Sequence, residues 1–204
     1  QEEALYYFRS TGNRRLETLV LAQMGRLYQS IGDTAKASLL KREFREKSRL
    51  LNDTLLLINV FIDEVADLQG NGQYHDAIPL AFRVLDLSEK AGYSEFVTWA
   101  EYQIGYLNEI TQDYLMAMRF LDRAERSNSL SDDARRHKIY QHKASVYAKL
   151  DSLPQALNYA QRALALGDTL LNRYRIVTSN RLAVQYGERE KSRLLEAMTR
   201  EKTA

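Results

Sequence analysis

Apolar residues recur along most of this chain at intervals of three and four positions, the spacing that places side chains on one face of an α-helix. Polar residues fill the positions between them, so each stretch is amphipathic. The pattern predicts helices at 14–31, 34–50, 53–71, 74–91, 94–111, 114–127, 132–150 and 153–166. Asp33 and Asp53 are suited to cap helix starts, whereas Gly72 and Gly167 mark helix ends. The sequence therefore predicts helices in pairs joined by short turns.

The turn within each pair is repeated along the chain. Four similar segments occupy 32–37, 72–77, 112–117 and 151–156, and their last alanines lie 40, 40 and 39 residues apart. In each first helix a small residue is followed three positions later by a larger one, in the pairs Gly25/Tyr28, Val65/Leu68, Gly105/Asn108, Ala144/Tyr147 and Ala183/Tyr186. A small side chain lets a neighbouring helix approach closely. A repeat of this length is typical of a stacked helical solenoid.

These residues resemble the tetratricopeptide repeat (TPR) family, whose helix pairs carry Gly-x-x-Tyr in the first helix, a Gly-Asp-Tyr turn and small residues in the second helix. The resemblance covers nearly the whole chain and rests on Gly25, Tyr28, Gly32, Asp33, Ala37, Gly72, Tyr74, Ala77, Gly105, Asp113, Tyr114, Ala117, Ala124, Ala144, Tyr147, Ala156 and Ala163. It implies an all-α, right-handed TPR-like superhelical solenoid of antiparallel helix pairs, here with elongated repeats of 39–40 residues. The usual repeat has about 34 residues, and its closing proline is replaced here by Arg49, Glu89, Ser129 and Asp168.

We predict a solenoid over 1–186 and a separate helical segment over 187–204. The solenoid divides into a partial unit at 1–13, four repeats at about 14–52, 53–92, 93–131 and 132–167, and the first helix of a fifth repeat at 168–186. Because 1–13 has the spacing of a second helix without its first, we expect that the chain belongs to something larger. The segment 187–204 is either a solvated cap or the start of a coiled-coil connector, with Leu194, Leu195 and Met198 as its apolar residues.

Composition narrows the classes of function. Lys and Arg exceed Asp and Glu by 29 − 27 = 2, so no overall positive field draws the chain to nucleic acid. The chain contains no cysteine, which excludes disulfides, thiolate metal sites and cysteine nucleophiles. No run approaches the ~20 apolar residues of a membrane span. We therefore expect membrane contact only through segments outside this sequence.

Residues suited to catalysis or metal binding are sparse. The histidines are His75, His137 and His142, and the last two lie five apart rather than the four that a helical ligand pair needs. Acidic clusters such as Asp63-Glu64 lack a nearby nucleophile or oxyanion device. We therefore predict that the chain is not an enzyme and has no metal site and no cofactor.

Binding is the better account of the pattern, because first helices line the concave wall of such a solenoid. The candidates for this groove are Arg26, Ile62, Asp63, Trp99, Tyr102, Gln103, Tyr106, Gln141, His142 and Arg181. Trp99, Tyr102 and Tyr106 share one helical face and are suited to anchor a peptide, but packing between repeats would explain the same spacing. The locally basic C-terminal third is either a solvated face or a surface for an acidic partner.

We predict a non-catalytic domain that binds a protein or peptide. The stretch from Tyr186 to Lys191 is similar to the sensor-region TPR arrays of Bacteroidetes membrane-bound regulators. That resemblance implies the sensing or interaction region of a bacterial signal-transduction or transcriptional regulator, in the periplasmic part of an inner-membrane protein or, alternatively, in the cytoplasm. A cytosolic peptide-responsive regulator or an assembly scaffold is the alternative function. We expect this region not to bind nucleic acid. We expect it to self-associate through the C-terminal helix.

Overall fold

The all-α fold is confirmed. The computed structural model describes residues 2–127 and 132–202, with side chains as far as residue 188 and again at Lys191 and Arg193. Within these ranges the chain forms nine helices and no strand. The helices are α1 (Glu2–Ser10), α2 (Arg14–Ser30), α3 (Thr34–Leu51), α4 (Thr54–Gly70), α5 (Tyr74–Ala91), α6 (Ser94–Ile110), α7 (Tyr114–Ser127), α8 (Asp133–Lys149) and α9 (Leu153–Lys202).

Short polar segments separate the helices where the sequence predicts them. The side chain of Asp33 accepts a hydrogen bond from the Lys36 backbone N–H at 3.1 Å, and Asp53 accepts one from the Leu56 N–H at the same distance. These oxygens satisfy N–H groups that have no partner within their own helix. Asn52, the C-cap residue that follows α3, adopts the left-handed conformation at φ 48°. These local signals explain why the first helix boundaries agree closely with the prediction.

The helices pack mainly against their neighbours in the chain, in the pairs α2/α3, α4/α5, α6/α7 and α8/α9, and α5 also packs against α6. The larger core contains residues of the four helices α4, α5, α6 and α7. It includes Val65, Val84, Ile104 and Phe120, which are all at most 4% exposed. Burial of such side chains is the main favourable term in folding. A smaller core joins α1, α2 and α3 and also takes in Val60 of α4.

The chain divides into two compact units. Unit 1 covers residues 1–128 and contains α1 to α7, whereas unit 2 covers residues 129–204 and contains α8 and α9. The predicted domain bounds and the predicted connector remain predictions, since Leu194, Leu195 and Met198 lie outside the described side chains.

The predicted helix end at Gly167 is wrong, because α9 continues through it from Leu153 to Lys202. A Cβ atom at residue 167 would lie 3.0 Å from Cε1 of His137, on α8. The Nδ1 atom of that histidine lies 2.8 Å from the Ala163 carbonyl oxygen. Gly167 therefore makes room for an imidazole ring inside a continuous helix that includes residues 168–186, the predicted first helix of a fifth repeat.

Membrane spans are absent from the described part of the chain, since none of its helices combines the length and the apolar character that crossing a bilayer requires.

Candidate functional site

The sequence-predicted aromatic face lies on α6, in unit 1. Tyr102 and Tyr106 stack with ring centroids 6.4 Å apart and planes inclined by 13°. Both rings and Trp99 are half-buried, and Trp99 and Tyr106 pack against the larger core. Burial raises the pKa of the Tyr106 hydroxyl, and nearby Tyr74 and Glu109 raise it further. The rings are thus held in place by packing while part of each remains accessible.

A side-chain hydrogen bond connects this face to α4. The amide nitrogen of Gln69 donates to the amide oxygen of Gln103 at 2.8 Å. Ile62, also on α4, is half-buried and packs against the larger core. We call the set Ile62, Trp99, Tyr102, Gln103 and Tyr106 the α4/α6 wall. It brings together five of the ten predicted site residues on two consecutive first helices.

Asp63 was expected to face outward in the groove, and that expectation is wrong. It is 6% exposed, and its carboxylate is bound by Lys41 at 3.1 Å and by Arg45 at 2.6 Å. Both cations lie on α3 and also contact Asp67, one helical turn beyond Asp63. A buried carboxylate needs such partners, since burial without them is costly. We call these four residues the ion cluster.

A polar groove of about 470 Å³ lies beside the ion cluster. Its lining comes from the end of α2, one face of α3 and α4, and comprises Gln29, Thr34, Ala37, Ser38, Lys41, Arg42, Arg45, Glu46, Arg49, Glu64 and Asp67. Burial alone would raise the pKa of Asp67, but hydrogen bonds from Lys41 and Arg45 outweigh it, so its pKa lies below the ordinary value. Sequence reasoning missed this groove, although Lys41/Arg45 and Asp63/Asp67 are opposite charges at four-residue spacing on consecutive helices.

Four of the other predicted residues lie on helices other than α4 and α6. Arg26 is exposed on α2 in unit 1. Gln141, exposed, and His142, half-buried, lie on α8, and Arg181 is exposed on α9, so all three belong to unit 2. The wall is therefore defined by unit 1 alone.

Unit 2 contains an aromatic cluster that sequence reasoning also missed. Lys143 is 2% exposed and donates a hydrogen bond to the Tyr159 hydroxyl at 2.7 Å. Its Nζ lies 4.2 Å from the centroid of the same ring, and the Tyr147 ring stacks on Tyr159 at 5.6 Å. A cation over an aromatic face is stabilised by the ring quadrupole. This arrangement holds α8 and α9 together.

Within the described ranges, no group of three or more His, Cys, Asp or Glu side chains is placed to hold a metal ion.

No protein-family model and no curated protein matches this chain. Among solved structures, BtubC (BKLC) from P. vanneervenii is similar over 82% of this chain and 71% of its own, with 18% identity and a TM-score of 0.66. A Signal Transduction ATPase with Numerous Domains (STAND) protein from Pyrococcus horikoshii, described as having a tetratricopeptide repeat sensor, is similar over 79% of this chain, with 15% identity and a TM-score of 0.65.

A double mutant of MamA RS-1 is similar over 83% of this chain and 86% of its own, with 18% identity and a TM-score of 0.53. This chain spans only 25% of the STAND protein. At these identities the likeness is one of fold alone. The chain thus has an all-α, TPR-like fold of paired helices.

Proposed function

We propose that this chain is a non-catalytic binding module that holds a protein or peptide on the α4/α6 wall. The observation that carries the proposal is the stacked, half-exposed pair Tyr102/Tyr106, which packing already fixes before a partner arrives. Rigid aromatic side chains offer a large contact area and lose little conformational entropy on binding.

The polar residues of the wall support a peptide rather than a purely apolar ligand. Gln103 follows Tyr102 on α6 and accepts a hydrogen bond from Gln69, and the remaining polar atoms of its amide offer donors and an acceptor to a peptide backbone. The neighbouring groove presents Arg42, which is exposed, and Arg49, which contacts Glu64 at 3.1 Å. Exchangeable surface charges of this kind suit a partner segment with acidic side chains.

The second part of the proposal concerns the larger protein and the cell compartment in which this chain acts. We infer the sensing or interaction region of a bacterial signal-transduction or transcriptional regulator, in the periplasmic part of an inner-membrane protein. Support comes from the sequence resemblance at Tyr186 to Lys191 and from a fold shared with a STAND protein that is described as having a TPR sensor. An assembly scaffold in the cytoplasm, built on the same helix pairs, is the alternative. The two compartments are distinguished by fusing the full-length protein to a reporter enzyme that is active only outside the cytoplasm.

Alanine substitution tests the wall. A peptide is first selected against the purified chain, and its affinity is then measured for Tyr102→Ala, Tyr106→Ala and Arg119→Ala. Loss of a true aromatic anchor is expected to cost ~2 kcal/mol or more, about a thirtyfold rise in Kd. Arg119, exposed on α7, is the control and is expected to leave Kd unchanged. Equal affinities for all three folded variants would move the site off this wall.

A further inference from the structure

Helix α9 exposes a line of leucines along one face. Leu157, Leu164 and Leu171 follow one another at seven-residue intervals and are 60%, 67% and 48% exposed. Leu182, 60% exposed, continues the same line. We call these four residues the leucine stripe. The residues of α9 that are buried against α8, Ala156 and Ala163, lie on a different face of the helix, so α8 does not cover the stripe.

The corresponding face of α5 is covered. Ile78 and Leu85 precede Leu157 and Leu164 by 79 residues, as Ala77 precedes Ala156 within the repeated turns. Leu85 is 6% exposed and Ile78 packs against the larger core, to which α6 contributes Ile104. In unit 2 no described helix takes the place that α6 takes on α5. Leu157 and Leu164 therefore lie where a further helix would pack, as α6 packs on α5.

The chain itself carries the missing half. Leu182 follows Ile104 by 78 residues, as Ala183 follows Gly105, so Leu182 occupies the repeat position of a core residue of α6. Because α9 is continuous, Leu157 and Leu182 are separated along its axis by about 37 Å, from a rise of 1.5 Å per residue. Within one straight helix, the segment around Leu182 therefore cannot cover Leu157 and Leu164 of the same chain.

We propose that two copies of the chain pair through α9 in antiparallel orientation about Leu171. Each copy then covers the other's Leu157 and Leu164 with its own segment 171–185. The interface is isologous, because the same stripe is used by both copies. It spans residues 157–185 in each helix, a length of about 40 Å.

The charges beside the stripe favour the antiparallel orientation. Asp168 and Arg175 are exposed and lie three residues before and four residues after Leu171. Antiparallel pairing about Leu171 places Asp168 of each copy beside Arg175 of the other. Parallel, in-register pairing would instead align each residue with its own counterpart. Opposite charges across an interface fix orientation in this way.

Closure within one chain is the competing arrangement. The segment Leu166–Leu171 reads LGDTLL, whereas Leu51–Leu56 reads LNDTLL and turns at Asn52 with φ 48°. A turn at Gly167 would let 168–186 fold back onto the stripe of its own chain. The contact of Gly167 with His137 holds the straight helix and so favours pairing between two copies.

Disulfide trapping separates these arrangements, and the absence of native cysteine makes it clean. Ala160 and Leu182 are both exposed and lie eleven residues on either side of Leu171, so antiparallel pairing makes them opposite. Along one straight helix they are about 33 Å apart, far beyond the ~7 Å between Cα atoms that a disulfide permits. The variant Ala160→Cys/Leu182→Cys is expected to form a covalent dimer on a non-reducing gel.

The single variants Ala160→Cys and Leu182→Cys are the controls and are expected to remain uncross-linked. Closure with a turn at Gly167 would place residue 174 rather than Leu182 opposite Ala160, so it would leave the thiols of the double variant free and overturn the proposal. Self-linked single variants, which only parallel pairing produces, would overturn it as well.

A second measurement uses charge at the symmetry axis. In Leu171→Lys two lysines would face each other, so the dimer dissociation constant is expected to rise by about tenfold or more. Ile176→Lys is the matched control, since Ile176 is 61% exposed but lies on another face of α9. Sedimentation equilibrium gives both constants, and circular dichroism checks that both variants are folded. A monomeric wild type, or equal effects of the two substitutions, would refute the pairing.

Discussion

At the residue scale, Gly105 lies where α6 and α7 approach each other closely. A Cβ atom there would lie 2.8 Å from Cγ of Leu121 and 3.1 Å from its backbone nitrogen. Gly105→Ala is therefore expected to destabilise the chain by about 1–3 kcal/mol, although alanine alone favours a helix by about 1 kcal/mol over glycine. Thermal and denaturant unfolding measure the change.

Gly70→Ala provides the control for this substitution. Gly70 ends α4, and a Cβ atom there meets nothing within 4 Å. The substitution Gly70→Ala is expected to leave the free energy of unfolding unchanged or to raise it slightly. A Gly105→Ala variant as stable as the wild type would mean that α6 and α7 do not approach as described.

Asp63 carries the clearest electrostatic prediction. Replacing it by alanine leaves Lys41, which is 7% exposed, with Asp67 as its remaining partner. Breaking a buried ion pair from one side typically costs about 3–5 kcal/mol, and the lower end is expected here because Asp67 remains. Asp86→Ala is the control, since its pair with Lys90 is exposed and is expected to contribute under about 1 kcal/mol. Similar losses for both variants in denaturant unfolding would contradict the role of burial.

The contrast between Gly105 and Asp63 shows what one sequence reveals about individual residues. Gly105 was placed correctly at a helix contact because its spacing from the turn repeats along the chain. Asp63 was placed wrongly because periodicity assigns a residue to a face of its helix. Whether that face is covered depends on Lys41 and Arg45, which belong to a different helix.

At the scale of elements, the ion cluster contributes to the contact between α3 and α4. The pKa of Asp67 is lowered below its ordinary 3.8, so its contribution to stability is complete above pH 3.8 and is lost as pH falls through the lower folded value. Asp67→Asn is therefore expected to lower the melting temperature at pH 7 and to flatten its fall below pH 4. Melting between pH 7 and pH 2 tests this, and an unchanged acid profile would contradict it.

The course of α9 could not be predicted from local signals. Gly167 and Asp168 have the composition of a helix end followed by a helix start, which is what the sequence analysis inferred. The packing of His137 against Gly167 is a contact between helices, and it outweighs the local preference for a turn. One continuous helix therefore replaces the predicted helices at 153–166 and 168–186.

The last part of α9 is expected to contribute little to folding. From Leu171 to Glu188 its side chains are exposed except that of Thr178, which is half-buried. Truncation after Tyr186 is expected to leave the melting temperature nearly unchanged and to preserve pairing through the leucine stripe. A large fall in melting temperature would show that 187–204 is an integral cap. Loss of pairing would assign self-association to Leu194, Leu195 and Met198 instead.

At the scale of the whole molecule, the fold was predictable because each helix pair is a local unit that recurs about every 40 residues. The α4/α6 wall was predictable for the same reason, since Tyr102 and Tyr106 keep their spacing from Gly105. The polar groove was not, because its lining comes from three helices. A groove of this kind depends on how far neighbouring helices stand apart, which periodicity does not encode.

Two helix contacts in unit 1, α5/α6 and α3/α4, differ in the side chains that hold them together. Separating α5 from α6 would expose Leu85 and Ile104 to water, and the free-energy penalty rises with every square ångström of apolar surface exposed. Between α3 and α4 the smaller core contributes Phe44 and Val60, and the long side chains of Lys41 and Arg45 can follow Asp63 and Asp67 through small displacements. We therefore expect the α3/α4 contact to yield more easily than the α5/α6 contact. Small displacements of α3 against α4 would widen or narrow the polar groove and leave the α4/α6 wall unchanged.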